Sequence, residues 1–329
     1  MRISDIRILS ALVALAATLV LAACVAAPVE RSAVAVASGQ TPRTHAEQTE
    51  ATRAIAMAFL RQVYVAGDIR GAYDGFATEH MRQHNPLMAD GLAGHRAYFA
   101  AVEARVGSSV AWANVNNMII VDGDLFALHH HAFTGPDDPG RAFVDIWRVE
   151  NGRIVEHWDV IQPIATIMAH ANGVGCGRGD NYEAALALGQ TVNPPACGLP
   201  DSTASRDESL ATLDAYSQAL FSQDVAGAIE RFLTDDYRQH SPVIADGKRG
   251  ALEFLLEEFG SGEAAMPRMG QMRVVAEGNL VLMHRLTEYA DGSHTANVDI
   301  FELRGGQISE HWDLKQPIPE NAANENGMW

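Results

Sequence analysis

Two short stretches of this chain pair histidine with aspartate at a spacing suited to general acid–base chemistry. Glu156-His157-Trp158-Asp159 and Glu310-His311-Trp312-Asp313 each follow a tight turn, Asn151-Gly152 and Gly305-Gly306. Alternate side chains of a strand share a face, so His157 and Asp159 point one way while Glu156 and Trp158 point the other. Upstream, Val144-Asp145-Ile146 and Val298-Asp299-Ile300 place a further aspartate mid-strand, and His129 and His284 sit among apolar neighbours. Two Gln-His-x-Pro loops supply His84 and His240. A sheet with one face on the core and one in water does not normally bring so many ionisable groups to strand centres. A concave sheet would gather His84, His129, Asp145, His157 and Asp159 in one pocket. A second pocket would hold His240, His284, Asp299, His311 and Asp313. Such a set can take, give or hold a proton near neutral pH.

Plainer roles compete at several positions. His84 and His240 could cap backbone in a loop before proline. Trp158 and Trp312 read as core packing rather than substrate stacking. Glu156 and Glu310 read as solvated or paired with a helix residue, and Asp145 with His157 could be a buried ion pair on neighbouring strands. His129-His130-His131 invites a zinc site. However, pleating sends His130 away from the other two, and the second copy has Arg285 and Leu286 there, so no metal is expected. No P-loop, glycine-rich phosphate loop or serine nucleophile elbow occurs.

The elements that must position these groups occur twice. Tyr237-Arg238-Gln239-His240-Ser241-Pro242-Val243-Ile244-Ala245-Asp246-Gly247 answers Met81-Arg82-Gln83-His84-Asn85-Pro86-Leu87-Met88-Ala89-Asp90-Gly91, and both copies end in Gln-Pro-Ile. A fixed order of matching segments marks an internal duplication. Each copy opens with an amphipathic helix (51–65; from Leu210 onward), then a shorter one (69–76; 225–232) and a third (94–105; 248–259). The period then changes to two, predicting strands near 110–121, 125–133, 142–149 and 153–162, and near 272–276, 280–289, 294–303 and 307–316. Helices followed by a meander define an α+β domain with helices on one face of a curved antiparallel sheet, open at a mouth where a ligand would sit.

The Gln-His-x-Pro loop, the Asp-Ile strand and the closing Glu-His-Trp-Asp resemble the SnoaL-like polyketide cyclase group of the NTF2-like superfamily. The resemblance covers about Glu47–Ile164 and Asp207–Trp329, and implies two tandem cone-shaped NTF2-like domains. It implies a cofactor-independent cyclase, isomerase or lyase acting on a small carbonyl compound, with no cofactor required. By position, the family's catalytic aspartate falls on Asp159 and Asp313. Its histidine partner falls on Asp145 and Asp299, a departure from the family pattern. The implied chemistry is proton abstraction beside a carbonyl by an aspartate whose anion is disfavoured in a pocket. Asp145, Asp299, His157 and His311 would then be acid or orienting groups. His84, His240, His129 and His284 would bind substrate. Two alternatives remain: a non-catalytic protein binding a small hydrophobic ligand, and an interaction module with vestigial pockets whose domains, or homodimer partners, pack through their sheets.

The chain begins with Arg2 and Arg7, an apolar run from Ile8 to Ala22, and Leu21-Ala22-Ala23-Cys24. This reads as a secretory signal ending in a lipobox, with Cys24 the lipidated residue. The expected organisation is a signal over 1–24, a disordered tether over 25–46, domains over 47–164 and 207–329, and a linker over 165–206. An oxidising compartment favours a disulfide between Cys176 and Cys197. The expected location is the bacterial periplasm, on a lipid anchor and with no other membrane contact. A formal charge of −17 argues against nucleic acid and anionic surfaces as partners.

Overall fold

The computed structural model describes residues 43–106, 113–175, 181–188, 198–259 and 268–329. Cys24, Cys176 and Cys197, and with them the expected signal, lipid anchor and disulfide, lie outside the described residues. No helix among the described residues is long and apolar enough to cross a membrane.

The first repeat runs α1 (His45–Leu60), a π-helical turn (Arg61–Val65), α2 (Ile69–Phe76), β1 (Ala77–Gln83), α3 (Gly91–Val106), β2 (Ala113–Asp122), β3 (Leu125–Phe133), β4 (Arg141–Glu150) and β5 (Arg153–Pro163). A short helix, α4 (Tyr182–Leu188), precedes the second repeat. That repeat is α5 (Arg206–Phe221), α6 (Val225–Phe232), β6 (Leu233–Gln239), α7 (Gly247–Phe259), β7 (Arg268–Glu277), β8 (Leu280–Glu288), β9 (His294–Arg304) and β10 (Gln307–Pro317). Helix starts follow the expected chemistry. Thr44 and Glu47 form a reciprocal capping box on α1, and Asp68 and Asp224 cap α2 and α6, satisfying amides that have no partner within the helix.

Each repeat is an α+β domain with one five-stranded sheet, in the orders β1-β5-β4-β3-β2 and β6-β10-β9-β8-β7. The strands β1 and β6 are not foreseen by the sequence pattern, and they make each sheet mixed, pairing parallel to β5 and β10. Ala-Thr-Glu-His-Met-Arg-Gln and Leu-Thr-Asp-Asp-Tyr-Arg-Gln leave the helix without a turn and shift register midway. Their alternation is therefore too weak to announce a strand. Beyond β1, Asp90 Oδ1 accepts the Gln83 amide at 2.8 Å, and Asp246 does the same for Gln239 at 2.9 Å. Gly91 then turns with φ +75°, and a side chain there would meet the Glu79 carbonyl oxygen at 2.6 Å. The repeated Ala-Asp-Gly motif thus closes the Gln-His loop against its strand.

Pleating gives each sheet two different faces. One packs on its own helices, where Phe59, Leu60, Tyr73, Phe126, Leu128 and Trp147 form a core with α1 and α2. The other packs on the sister sheet: Ile120, Val144, Trp158 and Val160 from the first repeat meet Leu282, Val298, Trp312 and Leu314 from the second. The Gln-Pro-Ile motif belongs to this seam. Gln162 Oε1 accepts the Lys315 amide at 2.8 Å, and Gln316 Oε1 accepts the Ile161 amide at 2.7 Å. At one end, the buried Asp122 binds Arg206 at 2.8 Å.

Candidate active site

In the first repeat the helices and the helix-facing side of the sheet enclose a cavity of about 660 Å³. Its apolar walls include Phe59, Tyr73, Tyr98, Phe143 and Trp147, and its polar floor is Asp145, His157, Asp159 and His130. Asp145 lies directly across from Asp159 on β4 and β5, and Trp147 across from His157. Like charges in that position repel, and the two carboxyls resolve the conflict by taking different environments. Asp145 accepts from His157 Nε2 at 3.0 Å on one oxygen and from His130 Nε2 at 2.8 Å on the other. Burial works to raise Asp145, but those histidine contacts prevail and hold it near 2. Asp159 is 4% exposed. Its Oδ2 accepts from Asn85 Nδ2 at 2.6 Å, while its Oδ1 is buried without a hydrogen-bond partner. Burial pushes Asp159 up to about 6, with Asp145 adding to the rise and His157 opposing it.

Two amides from the Gln-His loop orient these groups. Gln83 Oε1 accepts the Asn85 backbone N–H at 2.8 Å and faces His157 Nδ1 at 3.0 Å. His157 therefore has an oxygen acceptor at each ring nitrogen, an arrangement that suits a donor at both. Its ring also stacks on Trp147 at 5.2 Å. Tyr64, carried by the π turn, sets its hydroxyl 3.3 Å from His130 Nε2. Burial, and next the charge of Asp145, raise the Tyr64 phenol well above its ordinary range, so it is a neutral donor. Single π turns inside helices recur at functional sites. Asp145, His157 and Asp159 are also the groups that could hold a metal ion, their donor atoms lying within 4.8 Å of one another.

The second repeat brings together Asp299, Asp313 and His311, with Asp313 across from Asp299 and His311 Nε2 3.2 Å from Asp299. The details differ. Arg285 occupies the place of His130 and forms the ion pair with Asp299. Gln239 gives its oxygen to the His240 and Ser241 amides, so its NH₂ approaches His311 Nδ1 at 3.2 Å. Burial takes His311 down to about 4, keeping it neutral where His157 meets two acceptors. Ser241 stands where Asn85 stands, and α5 is an unbroken α-helix with no π turn.

Four sequence expectations are corrected by placement. His129 and His284 face the seam between the sheets, not the pockets: His129 pairs with Val144 and His284 with Val298, both seam residues. His130, one position on, enters the cavity. His84 and His240 also leave the pockets, stacking on Trp158 at 4.7 Å and Trp312 at 4.5 Å. Their Nε2 atoms meet Glu156 and Glu310, each at 2.8 Å. Those glutamates are accordingly neither solvated nor paired with a helix. The Asp145–His157 ion pair is present, but as the cavity floor rather than an alternative to it. Trp158 and Trp312 pack in the seam, as expected. Sequence reasoning misses Tyr64, Gln83, Asn85, His130 and Arg285. For Asn85 and Arg285 a signal existed, because both differ between otherwise matching repeats.

A family model for the SnoaL-like domain matches residues 56–157 and 213–311, and the chain belongs to this family, with two tandem copies of the domain. Among solved structures it is similar to a putative ketosteroid isomerase from Kribbella flavida, with 17% identity over 35% of this chain and 82% of that one, TM-score 0.30. It is similar to a putative SnoaL-like polyketide cyclase from Jannaschia, with 13% identity over 37% and 92%, TM-score 0.29. It is likewise similar to an NTF2-like protein of unknown function from Mesorhizobium loti, with 20% identity over 37% and 97%, TM-score 0.30. No curated protein matches.

Proposed function

We propose that the first repeat is a cofactor-independent proton-transfer site, a lyase, isomerase or cyclase for a small carbonyl compound, with Asp159 as the general base. One observation carries the reading. A buried aspartate pushed up to about 6, with one oxygen buried without a hydrogen-bond partner, lines the floor of an aromatic-walled cavity. A carboxylate destabilised in this way holds a proton abstracted from carbon better than an exposed one. Asp145, held ionised, fixes His157 and His130 rather than exchanging protons itself. A substrate carbonyl oxygen seated near His130 and Tyr64 would receive the hydroxyl hydrogen bond as enolate charge develops.

In the second repeat, the Arg285–Asp299 ion pair and the neutral His311 favour a ligand-holding or vestigial pocket. Asp313→Asn is therefore expected to leave turnover unchanged. The test is deuterium exchange at carbon next to the carbonyl, followed by NMR over a panel of cyclic ketones, enones and β-dicarbonyl compounds. Exchange that disappears in Asp159→Asn and persists in Asp313→Asn supports the reading; exchange retained in Asp159→Asn defeats it. We also propose that the protein is exported and anchored through Cys24. Labelled-fatty-acid incorporation that Cys24→Ser abolishes would support this, and equal incorporation in the variant would overturn it.

A further inference from the structure

After its fifth strand, each repeat sends its chain across to the other. Following β5, the Ala169 amide donates to the Pro242 carbonyl at 2.9 Å, His170 Nε2 meets the Ser241 carbonyl at 2.7 Å, and Asn172 Nδ2 donates to the Gln239 carbonyl at 2.9 Å. The Gly173 carbonyl then accepts from His240 Nδ1 at 3.0 Å. Following β10, the same pattern runs in the opposite direction. The Ala323 amide donates to the Pro86 carbonyl at 2.7 Å, and Asn324 Nδ2 donates to the Asn85 and Met88 carbonyls at 2.8 and 2.9 Å. Asn326 Nδ2 donates to the Gln83 carbonyl at 2.8 Å and to Asp90 at 2.7 Å, and the Gly327 carbonyl accepts from His84 Nδ1 at 2.7 Å. Each strap ends in the seam, with Val174 7% and Met328 1% exposed. The exchange is reciprocal.

The two straps do not hold equivalent loops. The loop bound by 323–327 is the one whose Gln83 and Asn85 side chains meet His157 Nδ1 and Asp159 Oδ2. The loop bound by 169–173 presents Ser241 instead, and a Gln239 whose amide is turned the other way. Inside the first repeat, Gln83–Asp90 is tied by the Asp90 cap and by the Gln83 and Asn85 side chains. The carbonyls of Gln83, Pro86 and Met88, however, are bonded by the strap, as is that of Asn85, which also accepts the Met88 amide at 3.1 Å. An oxygen buried with no partner is costly, so releasing the strap frees the backbone that aims both amides.

We infer that Asn324 and Asn326, although they follow the second repeat, are positioning residues of the first site, holding the Gln83–Asp90 loop so that Asn85 and Gln83 fix Asp159 and His157. The segment after the second repeat thereby completes a site in the first. This inference rests on the reading of Asp159 as the working base, but its test is independent of turnover.

The experiment compares two double variants of the whole chain: Asn324→Ala with Asn326→Ala, and the counterpart His170→Ala with Asn172→Ala. Both remove side-chain contacts from a strap, so both loosen the seam between repeats. Amide hydrogen exchange over Gln83–Asp90 and the carboxyl titration of Asp159, by carbon-detected NMR, are the readouts. The first double variant is expected to speed exchange over that loop at least about tenfold, since several hydrogen bonds of about tenfold each are lost. It should also move the Asp159 midpoint upward, because a hydrogen bond to the charged form is weakened. The second double variant should leave both readouts at their wild-type values. Equal effects from the two variants, or none from the first, would overturn the inference. Should the first double variant not fold, Asn324→Ala alone, which keeps the Asn326 contacts, is held to the same two readouts and the same expected changes. Turnover surviving Asp159→Asn would count only against the base assignment.

Discussion

An aspartate kept in the wrong environment for its charge costs stability, and Asp159→Asn should recover part of that cost. Asp159 stands at about 6 against an ordinary 3.8; at about 1.4 kcal/mol per pH unit this is about 3 kcal/mol against the ionised form in the folded state. Part of it arises from coupling to Asp145, so the expected gain is about 1 to 2 kcal/mol. The sign depends on pH. Below about 4 the carboxyl is protonated both folded and unfolded, and the substitution changes little. Between about 4 and 6 the folded protein holds a proton that the unfolded chain has released, so wild-type stability falls as pH rises. Above 6 the full penalty applies. Urea unfolding followed by tryptophan fluorescence at pH 4.5 and pH 8 is the assay. The variant should exceed the wild type by less at the lower pH than at pH 8, where its melting point should be higher by about 2 to 6 °C. A variant less stable at pH 8 would refute the claim that burial, rather than a missing partner, sets the Asp159 titration.

Other outcomes follow from the same geometry. Asp145→Asn replaces a buried carboxylate that bonds both His130 and His157 with an amide that has a single acceptor oxygen, and should cost about 3 kcal/mol at pH 7, measured by denaturant unfolding. Because Asp145 is held near 2, the stability it adds is present above about pH 4 and is lost as pH falls through about 2. Turnover by the first site should rise with pH through about 6 as Asp159 ionises, and a pH profile of kcat/KM checks this. Tyr64→Phe should lower kcat by about tenfold to a hundredfold while leaving the fold intact, as steady-state kinetics and circular dichroism would show.

Much of this was legible in the sequence for definite reasons. Duplication showed because the Gln-His-x-Pro and Glu-His-Trp-Asp segments recur in order, and strand alternation alone placed His157 and Asp159 on one face, with Trp158 on the other. His129 was misplaced because parity passes from one strand to the next only through a short, defined turn. The connection from β3 to β4 covers residues 134–140, long enough to lose the count, so three consecutive histidines offered two equally regular choices. Glu156 and His84 looked like surface and loop chemistry, since nothing local reveals that both lie against a second sheet. Straps that join Asn324 and Asn326 to carbonyls more than 230 residues away leave no periodic trace. The parallel strand β1 was hidden by its polar residues and its shifted register.

The two sites are unequal in what holds the strand-centre aspartate: Arg285 pairs with Asp299 in the second repeat, whereas the ring nitrogens of His130 and His157 bond Asp145 in the first.

The carboxyl carbon resonance of Asp159, followed between pH 3 and pH 9 in the otherwise unaltered protein, tests the central claim most directly. A midpoint near 6 is predicted, about two pH units above an exposed aspartate. A midpoint at or below 4 would contradict it, because a carboxyl ionised that readily is not the destabilised base on which the proposed chemistry depends.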